Sequence, residues 1–570
     1  MFINSGIPSK NSVSFGESQV NICAFSDLHG NINELVPMYA CIENQADDIF
    51  VKKDRKSTKN IMTIVGDYFF NPNIKGFISD KEKTAGDYQL TILQAFLDNV
   101  KKIIPKANPF FVIGNHDLDA GDNFLFNLLK KADMQYIITN FDFDSKQTDK
   151  KLNNKLIKSK IITVQDDKNP KAENKVLVLG LMLPSLGYYF PKVNGNSSLT
   201  DNFNVLDRFE HDESKTKEEE LKETYKVLNE EISKFKLNNP DAPVIILAHT
   251  GEKIAKFVAD NVPVDFILSG HDHFDSNEKY ITKSGNKTEI ISLSKDGELL
   301  KSLQLHFSDE GKLDNSVVKT FKPHQSPELK NNPVKQVLEK ELAKDLNLTL
   351  KTIPAGAMLS KDKVTIDDSP LANAITDTIF REIKKKDTEI VALGVTSSSF
   401  RRSLSDGSNN ADMLTALSGS IESQSLVQSG VVDGKILAEF ILEYTRNNIN
   451  AKKKRTVRWA GIKVNRTKLT EMIKNENSSI NILETRGSDV AKCIEIMNQQ
   501  GEYEFVNLTK TYKIALQNKF FIRSTIDSIK KYKARFKNVY PEDITLTNLF
   551  IKSLQENNYT LDVSDDVRIF

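Results

Sequence analysis

"FILSGHDHFD", Phe266 to Asp275, is an apolar run that stops at a glycine and continues into two histidines one residue apart. Histidine is scarce in this chain, eight in 570 residues, so a pair at the end of a strand-like run asks for a reason. Taken alone, the pair is compatible with a solvated loop. It does not stand alone.

Five further runs in the first 300 residues share its design: "QVNICAFSD", "IMTIVGD", "PFFVIGNHD", "KVLVLGLML" and "APVIILAHT". Each is short and rich in β-branched or aromatic residues, the signature of a buried strand. Helical patterns separate several of them. The clearest places Leu221, Tyr225, Leu228, Ile232 and Phe235 on one face of a strongly charged segment, an amphipathic surface helix. Strands alternating with helices predict an α/β core. Most of the runs end in residues able to bind something: Asp27, Asp67, Asn115, His249 and Gly270-His271. In open α/β sheets, sites gather at the carboxyl ends of strands, where loops converge.

Composition narrows the class. Charged residues balance at 78 basic and 77 acidic, a formal charge of +1, so nothing electrostatic points to nucleic acid or an anionic membrane as partner. Runs such as "NNKLIKSK" and "NAKKKR" read as solvated loops. Cys23, Cys41 and Cys493 are too few and too scattered for a disulfide framework. No stretch has the apolar length of a transmembrane helix. The opening "MFINSGIPSKNSVSFGESQV" has no basic segment followed by an apolar one. A secretory signal is therefore not expected there: the sequence reads as cytoplasmic, and export by another route stays open.

The strand-end motifs are "SDLHG" with Asp27 and His29, "VGDY" with Asp67, "IGNHDLD" with Asn115, His116 and Asp119, "LAHTG" with His249, and "SGHDH" with His271 and His273. Carboxylate, amide and imidazole together suit borderline divalent ions such as Zn²⁺, Mn²⁺ or Fe, with Mn and Zn foremost, rather than the all-oxygen cages of Ca²⁺. Seven candidate ligands exceed what one tetrahedral ion takes. They suit two ions sharing a carboxylate, with positions left for water and substrate.

The order D-x-H, GD, GNH-D, H, GH-x-H resembles calcineurin-like metallophosphoesterases. "GNHDLDAGDNFLFNLLKKADMQYIITNF" and "VIILAHTGEKIAKFVADNVPVDFILSGHDH" are similar to the 5′-nucleotidase branch of that family. The resemblance implies a four-layer αββα catalytic sandwich followed by a C-terminal α/β substrate domain. It also implies roles. Asp27, His29 and His273 would hold one ion, and Asn115, His249 and His271 the other, with Asp67 bridging. His116 would face the phosphate, and Asp119 would orient it. A pair of ions so held activates water at neutral pH and neutralises phosphoryl oxygens, while an imidazolium stabilises developing charge and protonates the leaving group. The expected substrate is a small phosphate ester, with a nucleotide first in line.

The expected organisation is an N-terminal segment 1–19, a catalytic domain 20–310, and a linker 311–350. In the linker, Val334, Val337, Leu338 and Leu342 have helical spacing after Pro333. A second domain spans 351–530, followed by an extension 531–570. Oligomeric state is not legible. The second domain departs most from the resemblance. "SPLANAITD" looks like the family's E-x-N-L-G-N-L-x-x-D segment, but Asp367 stands where some members carry arginine. "TSSSFRRSL" replaces NGGGIR, leaving Arg401 in the arginine's place, and "LSGS" and "IRSTIDS" lie where aromatic motifs are usual. Arg401, with Phe400 beside it, is the expected substrate contact there. Base stacking contributes about 1–3 kcal/mol per base, so losing both rings weakens nucleoside selection. Two alternatives follow. One is a phosphatase or phosphodiesterase on a non-nucleotide ester, phosphoprotein included. The other is a host-directed binding protein with a residual metal site, against which the complete ligand set counts.

Overall fold

The computed structural model describes residues 18–50, 57–72, 83–104, 108–141, 152, 154–165, 173–184, 206, 219, 221–308, 312–346, 350–353, 369–400, 403–404, 407–416, 426–450, 457–474, 479–522, 531–541, 544–563 and 568.

Thirteen strands build two sheets in the first 321 residues. They are β1 (Ser18–Phe25), β2 (Thr58–Val65), β3 (Asn108–Val112), β4 (Gln135–Ile137), β5 (Leu156–Ile157), β6 (Ser159–Gln165), β7 (Glu173–Met182), β8 (Val244–His249), β9 (Phe266–Ser269), β10 (Ser276–Ile281), β11 (Lys287–Ser292), β12 (Leu300–Phe307) and β13 (Leu313–Phe321). One sheet runs β13-β12-β1-β2-β3-β4-β5, and the other β10-β11-β9-β8-β7-β6. Strands β1 to β5 are mutually parallel, as are β7, β8, β9 and β11.

Side chains alternate across each strand, and the alternation builds the layers. Val20, Ile22 and Ala24 of β1 meet Ile245 and Leu247 of β8 in a core between the sheets. Cys23 and Phe25 face the other way, toward α1 (Leu35–Asn44), α2 (Ala85–Ile103) and α3 (Asp122–Leu129). Val244, Ile246 and Ala248 face α4 (Lys222–Lys236) and α5 (Glu252–Asn261). The result is the αββα sandwich expected, and Tyr225, Leu228, Ile232 and Phe235 form the buried face of α4. Helix α2 starts at a capping box, in which Thr84 and Asp87 satisfy each other's backbone N–H.

Parallel register sets the strand ends level. Phe25 pairs with Ile64, Val65 with Val112, and Ala248 with Ser269. The loops that follow therefore leave their sheets at one height.

The spacing of Val334, Leu338 and Leu342 produces α6 (Pro333–Leu346), whose start is capped by Asn332 Oδ1 accepting from Val334 N at 3.0 Å. These three side chains join the helix-side core of the first sheet, which continues without a break into Leu371, Ile375 and Phe550 of the second domain. That domain has a five-stranded sheet in the order Val457–Ala460, Ile390–Thr396, Thr511–Gln517, Val427–Asp433 and Lys537–Asn538. Helix α7 (Pro370–Lys386) begins with proline in its first turn and Ser369 as cap, and α8 (Gly434–Asn450) follows Val427–Asp433. The last forty residues, expected as an extension with a polar tail, interleave with this domain. Lys537–Asn538 pairs with Gln428 and Ser429, and Thr560–Asp562 pairs with Lys351–Ile353. Helix α9 (Leu546–Glu556) packs on α7. Arg568 binds the Asp377 carboxylate and the Trp459 carbonyl.

Candidate metal centre

Three of the five strand ends, those of β1, β2 and β9, leave their sheets through an unusual backbone. Asp27, His29, Asp67, His271 and His273 have φ of +55°, +46°, +51°, +87° and +65°. Non-glycine residues rarely occupy this region, and clusters of such conformations mark functional sites. The turns are locked together: Asp27 N donates to Gly66 O at 3.1 Å, and His29 N to Asp67 O at 2.8 Å. Gly66 makes the approach possible, because a Cβ there would stand 2.3 Å from His249 Nδ1.

Each polar side chain has one end tied to the protein and the other aimed inward. His29 Nδ1 donates to Asp27 O at 2.9 Å, and His249 Nδ1 to Val65 O at 2.7 Å. A carbonyl only accepts, so both rings present Nε2 to the centre. Asp67 Oδ1 accepts from His116 N at 2.7 Å, leaving Oδ2 3.0 Å from His249 Nε2 and 3.5 Å from His29 Nε2. Asp27 Oδ2 accepts from His271 N at 2.9 Å, and Oδ1 lies 3.2 Å from His273 Nε2.

The inward atoms Asp27 Oδ1, His29 Nε2, Asp67 Oδ2, Asn115 Oδ1 and His249 Nε2 are buried and make no hydrogen bond. Polar groups in that condition cost free energy unless something pairs with them. Asp27, His29 and His273 bring ligand atoms within 4.8 Å of one another, and so do Asp67, His249 and His271. A buried donor set of carboxylate and imidazole, with an amide beside it, fits divalent cations.

Charge explains the titration of these groups. Burial favours the neutral form of Asp27, but His249 and His273 beside it hold its carboxyl down at about 2. Asp67 likewise overcomes its burial through His249 and His116 and stays well below the usual range. Burial opposes charge on His249, yet Asp67 and Asp27 raise it to about 10. His271 is pushed down to about 4 by burial and then by His249. At neutral pH this imidazole has its lone pair ready.

His116 lies at the edge of the cluster, its Nδ1 donating to Asp119 Oδ2 at 3.0 Å. One of its nitrogens comes within 4.8 Å of ligand atoms of His29 and Asp67. Phe70, fully buried, packs edge-on against His29 and His116 at 5.9 and 5.5 Å.

Six of the expected ligands, Asp27, His29, Asp67, His249, His271 and His273, come together with His116 and its partner Asp119, and Asn115, next to His116, is buried with its Oδ1 making no hydrogen bond. The second-domain candidates do not join them among the described residues. Phe400 is 4% exposed and packs in the core, and Arg401 lies outside the described residues, as do Asp367 and Leu417–Ser420.

Two residues that the sequence reading passed over take part. Asp117, between His116 and Leu118, accepts the backbone N–H of Asp67 (3.0 Å), Phe69 (2.7 Å) and Gly114 (2.7 Å), tying the β2 and β3 loops to each other. Burial and then the charge of Asp67 raise its carboxyl to about 8. Ser26 touches Asp27. The available signal was an acid and a hydroxyl inside motifs already singled out.

Imidazoles, an amide and carboxylates converging at the strand ends of a double sheet define a metal-dependent phosphoesterase. Residues 20–275 match the family described as Calcineurin-like phosphoesterase. Whole-chain likeness in fold extends further. A 5′-nucleotidase precursor from Thermus thermophilus is 14% identical, with a TM-score of 0.63 covering 97% of this chain and 99% of that one. A 5′-nucleotidase from Candida albicans is 14% identical, with a TM-score of 0.52 over 95% and 99%. A sulfate thiohydrolase from Thermus thermophilus is 12% identical, with a TM-score of 0.56 over 98% and 97%. No curated protein matches the chain. Among the described residues, no helix is long and apolar enough to cross a membrane.

Proposed function

We propose that the chain is a two-metal-dependent phosphomonoester hydrolase acting on a nucleotide or a related small phosphate ester. The observation that carries this reading is the set of buried ligand atoms on Asp27, His29, Asp67, Asn115 and His249 that make no hydrogen bond. Asp27, His29 and His273 would hold one ion, and Asn115, His249 and His271 the other, with Asp67 between them. Divalent ions bound there would supply Lewis-acid activation of water and neutralisation of the phosphoryl oxygens.

The chain's own groups do the rest. The His116 backbone N–H fixes Asp67 Oδ1, so Oδ2 points to the centre. The carbonyls of Asp27 and Val65 fix His29 and His249. His116, oriented by Asp119, carries the proton that the departing alkoxide takes up, and its positive charge stabilises the phosphoryl group in the transition state. His273, about a quarter exposed at its side chain while Asp27 and His249 are fully buried, marks the open side by which substrate enters.

A second reading gives the same centre a non-nucleotide ester. Its support is the placement of Phe400 and Phe520, rings available in the second domain to replace the family's aromatic pair. Phe400 and Phe520 are 4% and 3% exposed, and Phe520 packs edge-on against Phe440 and Tyr444. The sulfate thiohydrolase shares this fold, so fold alone does not select the substrate. Assaying the full chain on nucleoside monophosphates, sugar phosphates, cyclic nucleotides and an aryl phosphate, with and without Mn²⁺, tests both readings. Metal-dependent activity confined to nucleoside monophosphates supports the first, and broad activity supports the second. Inactivity on every ester with metal bound would overturn both.

A further inference from the structure

We propose that Ser26 is a positioning residue for the metal centre, holding Asp27 so that one carboxylate oxygen belongs to the protein and the other is presented to a cation. The inference rests on the reading of Asp27 as a metal ligand given above.

Ser26 is 1% exposed, and its Oγ lies 2.5 Å from Asp27 Oδ2 and 2.5 Å from Val65 O. The same Oδ2 accepts His271 N at 2.9 Å. The serine hydroxyl has one proton for Asp27 Oδ2 and Val65 O; given to Oδ2, it joins the His271 N–H on the outer oxygen, while Oδ1 is left buried without a hydrogen bond, 3.2 Å from His273 Nε2 and 4.0 Å from His249 Nε2. Without the serine, the His271 N–H alone distinguishes the two oxygens.

Val65 O makes the arrangement a junction, because it also accepts from His249 Nδ1 at 2.7 Å. Ser26 Oγ and His249 Nδ1 thus meet at one carbonyl at the end of β2, and the imidazole N–H that satisfies this carbonyl leaves the serine proton for Asp27. The space for the hydroxyl is reserved by Gly270. A Cβ there would stand 2.1 Å from Ser26 Oγ, 2.7 Å from Val65 O and 3.0 Å from Asp27 Oδ2. The glycine of "SGHDH" is clearance for the serine, and this links the first and last motifs of the centre physically.

Removing a group that orients a ligating side chain typically costs about 10–100-fold in metal affinity. The test uses the full chain, stripped of metal and titrated with Mn²⁺ against a competing chelator, as wild type, Ser26→Ala and Ser26→Thr. Thermal unfolding of each metal-free protein is followed in parallel. The expected result is an affinity about 10–100-fold weaker in S26A for one bound ion. The metal-free unfolding temperature should stay close to wild type, and S26T should recover affinity through its hydroxyl. Unchanged Mn²⁺ affinity in S26A overturns the proposal. So does weaker binding matched by a lower metal-free unfolding temperature and not rescued in S26T, which would make Ser26 a packing residue. A wild type that binds a single ion would refute the two-ion reading instead, and weaker binding of that ion in S26A would still support the role of Ser26.

Discussion

Both domains place polar residues at the carboxyl ends of neighbouring parallel strands, and they do so with different chemistry. In the first domain, the ends of β1, β2, β3, β8 and β9 carry carboxylates, an amide and imidazoles, several with buried atoms that make no hydrogen bond. In the second, Ile390–Thr396 and Thr511–Gln517 are parallel neighbours, and their ends carry hydroxyls and amides. Gln517 Oε1 accepts from Thr396 N at 3.2 Å and Ser399 Oγ at 2.9 Å, while Gln517 Nε2 and Asn518 Oδ1 are buried without a hydrogen bond. Neutral donors and acceptors cannot compensate a dication, but they can recognise a neutral or hydroxylated group. The same architectural position thus carries charged residues in one domain and neutral ones in the other.

If that contrast is right, the largest effect comes from the carboxylate shared by both halves of the centre. Asp67→Asn should lower turnover by more than the ~10³-fold that removing one electrostatic donor to a transition state can cost, with metal content falling alongside. Turnover within tenfold of wild type would break the contrast. His116→Asn should retain metal and reduce turnover by about 10²–10⁴, the range for a general acid–base group, and Asp119→Asn should give a smaller defect of the same kind. Metal content that falls together with turnover in His116→Asn would instead make His116 a ligand.

The pH dependence of metal binding sharpens the picture further. Asp67 and Asp27 outweigh burial and hold His249 protonated up to about 10 in the metal-free protein, whereas His271 and Asp27 titrate near 4 and 2. Between pH 7 and 9, then, a cation must displace the His249 proton and no proton from the other two. Affinity should strengthen as pH rises, by about tenfold per unit for one displaced proton. Calorimetric titration in buffers of different ionisation enthalpy reads this directly, and an affinity flat across that range would contradict it.

The smallest effect belongs to the second domain. Arg401→Ala should lower kcat/KM for AMP or UMP by about 10–100-fold, the equivalent of one hydrogen bond to a charged group, and leave an aryl phosphate nearly unaffected. Equal rates on all three substrates, unchanged by the mutation, would move recognition wholly into the metal centre.

The catalytic sandwich and its centre were legible because the chemistry demands scarce residue types at fixed places. Histidine is rare here, and imidazoles standing where apolar runs stop, as at His249 and His271, are hard to explain otherwise. What escaped is what depends on three dimensions. Asp117 works through the backbone of Asp67, Phe69 and Gly114, contacts that no spacing along the chain announces. Ser26 needs Gly270, 244 positions away, to make room for it. The last forty residues look polar along the chain, yet their role is set by pairing with Lys351–Ile353 and Val427–Asp433, strands too short or too ordinary to predict a partner.

The central claim, a dinuclear centre at the seam of the two sheets, is tested most directly by the metal stoichiometry of the full chain. Purified protein is stripped, reconstituted with excess Mn²⁺ or Zn²⁺, freed of unbound metal and measured by elemental analysis. Two ions per chain are expected in the wild type, with loss of metal in Asp67→Asn. One ion or none after saturating reconstitution, or two ions retained in Asp67→Asn, would contradict it.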